Sequence, residues 1–312
     1  MPADDPLLGH GRQLVVREDW LRLTEEPVLE PGLPIVDPHH HLWQRKQGNY
    51  LLPELLADTG GGHDIRATIF VQCGEMYRAG GPADEQSLGE TEFVTGIAAA
   101  SASGRFGPTR ACAGIIGMVD LTLGDRVEPL LAAHVAAAGG RFCGVRNRTA
   151  WHPSPEVTSN LVSPPPGPLE HPAFAAGARR LALRGLPLDV WCYHTQLPHV
   201  LALARAVPDL TVVIDHVGGP LGIGPFAGRR AEVFPEWKRR ILDLAALPNT
   251  VVKLGGLAMY VTGFDFHRRP RPPGSEELAT AWRPYVETCI EAFGPDRCMF
   301  ESNFPVDKGM CS

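Results

Sequence analysis

A short apolar run leads into three consecutive histidines in IVDPHHHLW, residues 35–43. Side chains alternate across a strand, so His39 and His41 project from one face and His40 from the other. An H-x-H pair at the C-terminal end of a strand can set two imidazole nitrogens about 2.0–2.1 Å from one zinc-like ion. Taken alone, such a pair is more often ordinary surface or core histidines than a ligand pair. His194 and His216 likewise end apolar runs, in LDVWCYH and VVIDH, so four of the twelve histidines stand where strands stop. Three ligands, His39, His41 and His194, with one position left open would lower the pKa of bound water to about 7. His216 could then accept or relay the proton. Asp37, two residues before His39 and on its face, is placed to hold an imidazole.

Arg146 and Arg148 alternate onto one side of GVRNR. A guanidinium forks onto a carboxylate, so they are candidate anchors for a substrate carboxylate, the alternative being an internal ion pair. Gln72 and Tyr193 sit near strand ends and could orient a substrate, although Tyr193 suits a core equally well. Trp43 and Trp151 follow strands closely and could wall a pocket or simply pack. The basic stretch HRRPRPPG, His267 to Gly274, reads as a solvated loop before it reads as an anion-attracting lid. Cys73 and Cys192 read as packed thiols, since no motif pairs either with a base.

Eight strand-length apolar runs must position these residues: LPIVDPHHH, RATIFVQC, ACAGIIGMV, FCGVRNR, LPLDVWCYH, LTVVIDH, TVVKLGG and RCMFESNF. Most lack polar alternation, as strands buried on both faces do. Helical patterns lie between many of them, in RVEPLLAAHVAAAGG, HPAFAAGARRLALRG, LPHVLALARAV, FPEWKRRILDLAAL and TAWRPYVETCIEAFG. Eight strands alternating with helices predict an α/β fold, a (β/α)8 TIM-like barrel. A doubly wound sheet is the runner-up, but no early Gly-rich phosphate loop supports it. Gly and Pro gather after the fourth, sixth and seventh runs, where barrel loops surround the catalytic face. The expected organisation is an N-terminal segment, 1–32, packing on a barrel, 33–312. The chain ends soon after the eighth run, which reads as a truncation that leaves the last helix out and exposes an apolar flank, the alternative being that the N-terminal segment VVREDWLRLTEEPVL fills that place.

The 312 residues are 44% hydrophobic with a formal charge of −6, ample for a core and unfavourable for a nucleic-acid surface. No run of about 18 apolar residues suggests a membrane span. The seven cysteines include no C-x-x-C pair, which suits a reducing cytoplasm. A small-molecule substrate is the expected partner, with a homodimer left open.

Together VDPHHHLW, GVRNRTAW, LDVWCYH, VVIDHVGGPLG and CMFESNFPVDK resemble the amidohydrolase superfamily, in its amidohydrolase-related group near the sugar lactonases and the pyrone-dicarboxylate lactonase. The resemblance runs from about Trp20 to the C-terminus. It implies a distorted (β/α)8 barrel and hydrolysis of lactones, esters or amides, with non-oxidative decarboxylases in a neighbouring branch. It matches His39 and His41 to the first-strand pair, His194 to the fifth-strand ligand and His216 to the sixth-strand histidine. It leaves open a divalent ion, zinc or manganese, or metal-free operation. The family's eighth-strand aspartate falls on Asn303, and an amide neither takes a proton from water nor lends a metal its charge. Glu301, two residues earlier, could supply the carboxylate, or could be a buried acid paired with Arg146. The catalytic candidates are therefore His194, His216, Glu301 and Asn303, in a hydrolase opening a carboxylated or polyhydroxylated lactone or small ester. The alternatives are decarboxylation and, if Asn303 is disabling, a barrel that binds a metabolite without turning it over.

Overall fold

The computed structural model describes residues 5–46, 48–159 and 162–312. Each expected apolar run contains a strand: β1 (Pro34–His40), β2 (Asp64–Val71), β3 (Arg110–Gly117), β4 (Phe142–Arg148), β5 (Leu188–Trp191), β6 (Val212–Ile214), β7 (Thr250–Leu254) and β8 (Cys298–Phe300). They follow one another in chain order through one eight-stranded sheet. The pairings β1–β2, β2–β3, β3–β4, β6–β7 and β7–β8 are parallel. Parallel neighbours need a crossover, and the crossovers carry helices. These are α1 (Leu52–Thr59), α2 (Leu88–Ala102), α3 (Val127–Ala137), α4 (Phe174–Leu183), α5 (Leu197–Ala206), α6 (Arg230–Ala245) and α7 (Ser275–Phe293). This is the (β/α)8 TIM-like barrel class.

Helices α1 and α2 and a short antiparallel pair lay outside the sequence reading. Helix α2 carries no readable stripe because Gly89, Glu90 and Thr91 are buried beside Val94 and Ala98. Gly89 must be glycine there: a Cβ would stand 2.4 Å from the Met76 carbonyl oxygen. A short antiparallel pair, Trp43–Arg45 with Gly48–Tyr50, follows β1.

By its contacts the chain divides into two compact units. One comprises Pro27–Asn147 and Pro172–Asp189, with β1 to β3 and nearly all of β4. Its core includes Phe70, Val71, Ile115, Leu121, Leu131 and Leu181, all fully buried. The other comprises Met1–Glu26, Arg148–His171 and Val190–Ser312, with β6 to β8. Its centre is Trp237, whose ring packs 4.8 Å from that of Tyr285 and whose Nε1–H donates to the Val217 carbonyl at 2.7 Å. In this unit the N-terminal segment is tied to the region after β7. Arg17 donates to the His267 carbonyl at 2.5 Å and Trp20 Nε1 to that of Arg269 at 3.0 Å. Val36 of β1 and Phe300 of β8 are each more than half exposed.

Candidate active site

Every chemically suggestive histidine stands at or just past the C-terminal end of a strand, where barrel enzymes carry their catalytic groups. The residues fall into two sets, one in each unit.

In the first set, β1 runs from exposed Pro34 to fully buried His39 and His40. The His39 and His41 rings share a face, 4.9 Å apart and nearly perpendicular. His40 points the other way, its Nε2 against the Thr68 hydroxyl at 2.8 Å, so it belongs to the core as alternation requires. His41 Nδ1 lies 2.7 Å from the Val71 carbonyl, which can only accept, so Nδ1 carries the proton and Nε2 keeps its lone pair. Trp43 stacks on His41 at 16° and 6.1 Å, and the Arg45 guanidinium covers the Trp43 ring at 4.0 Å. Arg45 in turn pairs with Glu75 at 2.7 Å. Trp43 therefore braces an imidazole and a cation.

Arg146 is buried, donating to His39 Nε2 at 3.2 Å and to the Gln72 carbonyl. A guanidinium only donates, so His39 Nε2 accepts and a neutral His39 carries its proton on Nδ1. Asp37 accepts from the His39 backbone N–H at 3.1 Å. The loop holding Gln72 is pinned by Glu90 of α2, whose Oε1 accepts from the N–H groups of Cys73, Gly74 and Glu75 at 2.8–2.9 Å. No sequence motif pointed to Glu90.

In the second set, Glu301 meets His216. Its Oε1 accepts from His216 Nδ1 at 2.7 Å and from the His216 backbone N–H at 3.1 Å, with both side chains at 3% exposure or less. Burial by itself would lower the His216 pKa. The Glu301 carboxylate, aided by Asp215 and Asp307, outweighs burial and raises it above the usual value. Gly255 and Gly256, after β7, leave room for this pair. A Cβ on Gly255 would lie 2.4 Å from Glu301 Cγ, and one on Gly256 2.4 Å from His216 Cβ. His216, Val217 and Asn303 hold positive φ angles of 56°, 47° and 52°. Such strain in non-glycine residues concentrates at functional sites.

His194 has a different character. Its Nδ1 accepts from the Leu221 backbone N–H at 3.3 Å, so the neutral ring carries its proton on Nε2. Nε2 is buried and has no hydrogen-bond partner among the described residues. Burial, reinforced by the Arg240 charge, lowers its pKa to about 4, so the ring is neutral at pH 7. His194 thus presents an N–H donor rather than a lone pair, which does not suit the metal ligand expected of it. Within this set, Glu301 offers a divalent ion a carboxylate and His216 an imidazole Nε2, and both side chains are buried.

Tyr193 is core: its ring packs on Trp191 at 5.6 Å and its hydroxyl lies 3.1 Å from that of Ser159. Arg148 is half-buried at the end of β4. Cys192 is fully buried and its thiol pKa is pushed up by burial, as expected of a packed residue. Gln196, also missed, ties the loops after β4 and β5, accepting from Trp151 N and Tyr193 N and donating to the Thr149 carbonyl. Asn303 donates through Nδ2 to Asp307 at 2.9 Å, and Asp307 is buried.

The amidohydrolase sequence model matches residues 36–311. The chain belongs to the amidohydrolase family. It is a hydrolase of that family, with relatives among bacterial proteins. The Sinorhizobium fredii protein y4mH is 30% identical, over 88% of this chain and 86% of that one. The L-fucono-1,5-lactonase of Burkholderia multivorans is 27% identical, over 87% and 82%. A crystal structure of a Burkholderia multivorans amidohydrolase with bound zinc aligns with a TM-score of 0.65 at 26% identity, over 89% and 86%.

Proposed function

We propose that this amidohydrolase opens the ring of a small lactone, carboxylated or polyhydroxylated, by attack of water on the ring carbonyl. The observation that carries the reading is the buried Glu301–His216 pair, joined at 2.7 Å. A carboxylate on Nδ1 fixes the ring's tautomer and stabilises the imidazolium, leaving Nε2 to receive a proton from water. As hydroxide adds, negative charge grows on the carbonyl oxygen. His194, neutral with Nε2–H outward, supplies a donor to that oxygen without lending it a proton. When the ring C–O bond breaks, His216 returns its proton to the leaving alkoxide and a hydroxy acid results. Arg146 and Arg148 would anchor a substrate carboxylate. A divalent ion taken by Glu301 would supply Lewis acidity and a more acidic bound water. The lactonases among the relatives support this choice of substrate class.

The test is acid release across a panel of aldonolactones, L-fucono-1,5-lactone included, followed in weakly buffered solution. The reading expects stoichiometric acid with at least one member and a loss of about 100-fold or more in Glu301→Gln. Folded protein that releases no acid from any member refutes it.

A further inference from the structure

The loop after β8 carries a second polar pair for which the catalytic proposal has no use. Asn303 and Asp307 are 1% and 5% exposed. The Asn303 backbone carbonyl accepts from Val306 N at 2.9 Å and Asp307 N at 3.2 Å, which folds Asp307 back beneath Asn303. Asp307 Oδ1 then accepts from Asn303 Nδ2 at 2.9 Å, and Oδ2 from the Ala258 backbone N–H at 3.3 Å.

We propose that Asp307 is a positioning residue: it fixes the Asn303 amide so that Asn303 Oδ1 receives a hydrogen bond from an O–H group of the reaction, the attacking water or a substrate hydroxyl. The inference rests on the lactone-opening reading. Its warrant is the direction of each bond. Both carboxylate oxygens face N–H donors, so Asn303 must turn Nδ2 toward Asp307 and carry Oδ1 on the other arm of the planar amide. That Oδ1 is buried, with no partner among the described residues. Leaving such an acceptor empty is costly, so a site that keeps one is built for it to be filled. An amide oxygen takes no proton. It aligns the O–H, and the proton goes to the Glu301–His216 pair. Asn303 is then a working residue of this chain rather than a lesion.

Exchanging the pair tests this. In Asp307→Asn the new side chain has one oxygen, which the fixed Ala258 N–H claims, and its NH2 faces Asn303. The Asn303 amide must turn over and present NH2 to the site, and kcat/KM falls about 10- to 100-fold. Adding Asn303→Asp restores an outward oxygen, because the carboxylate introduced at position 303 accepts from the NH2 introduced at position 307. The double variant recovers activity to within about threefold of wild type. A merely structural bond would show in the single variant as a lower Tm, with kcat and KM of the folded protein unchanged. The two sources of O–H separate by parameter. If water is the donor, kcat falls in Asp307→Asn with hydroxylated and deoxy lactones alike. If it is a substrate hydroxyl, KM rises with the hydroxylated lactone alone. A single variant with wild-type kcat/KM, or a folded double variant that does not recover, overturns the proposal. Hydrogen exchange of the Asn303 side-chain NH2 in wild-type protein is independent of activity. It is slow if Asp307 holds the amide, and fast exchange overturns the proposal even where the lactone reading itself has failed.

Discussion

Replacing His194 by asparagine should flatten the acid side of the protein's stability profile. In the folded chain the His194 ring titrates at about 4 against an ordinary 6.5. Burial and the Arg240 charge both disfavour its charged form. A folded pKa below the unfolded one means that the unfolded chain binds the proton first. The stability tied to the neutral ring is therefore complete above pH 6.5 and drains as pH falls toward 4. The difference corresponds to about 3 kcal/mol in full, of which about 2 kcal/mol is already lost at pH 5. Asparagine does not titrate, so its packing cost is the same at both pH values and cancels in the comparison. Urea unfolding of wild type and His194→Asn at pH 7.5 and 5.0 measures this. The wild type should lose about 2 kcal/mol more than the variant over that interval. His134, also lowered to about 4 by burial, remains in both proteins and does not affect the difference. Equal losses would mean that His194 is not held neutral, and the N–H donor assigned to it would go with that result.

Gly256→Ala should destabilise by roughly 2–4 kcal/mol, from a positive φ of 70° and a Cβ placed against His216, with a fall in Tm and in activity together. Glu90→Ala removes one carboxylate oxygen from three backbone donors. It should cost about 2–4 kcal/mol and speed amide exchange at Cys73, Gly74 and Glu75, whereas unchanged exchange there would deny Glu90 its pinning role. Metal analysis after incubation with zinc should show Glu301→Gln losing bound zinc and His194→Asn retaining it. The reverse would return His194 to the ligand set. Arg45→Ala should free the Trp43 ring, seen as altered indole fluorescence, with a stability loss near 1 kcal/mol from the cation–π contact.

The strands were legible because buried parallel strands are written as unbroken apolar runs, and five helices because their stripes repeat. Helices α1 and α2 were not; α1 is only eight residues long, and α2 is buried on more than one side and carries Glu90 inward. At the site, residue types and strand-end positions marked His39, His41, His194, His216 and Glu301. What they could not carry was hydrogen-bond direction. Leu221 N–H turns His194 into a donor, and Arg146 claims His39 Nε2, through partners distant in the chain. The role of Asp307 was hidden for the same reason. Its meaning lies in a turn that folds it under Asn303, although VDK stood in the quoted motif throughout.

Isotope transfer from water tests the central claim most directly. With a lactone that the protein opens, turnover in 18O-labelled water should place one label in the carboxylate of the hydroxy acid, and Glu301→Gln should stop it. Product carrying no label, or carbon dioxide in place of a ring-opened acid, would contradict water attack at the ring carbonyl.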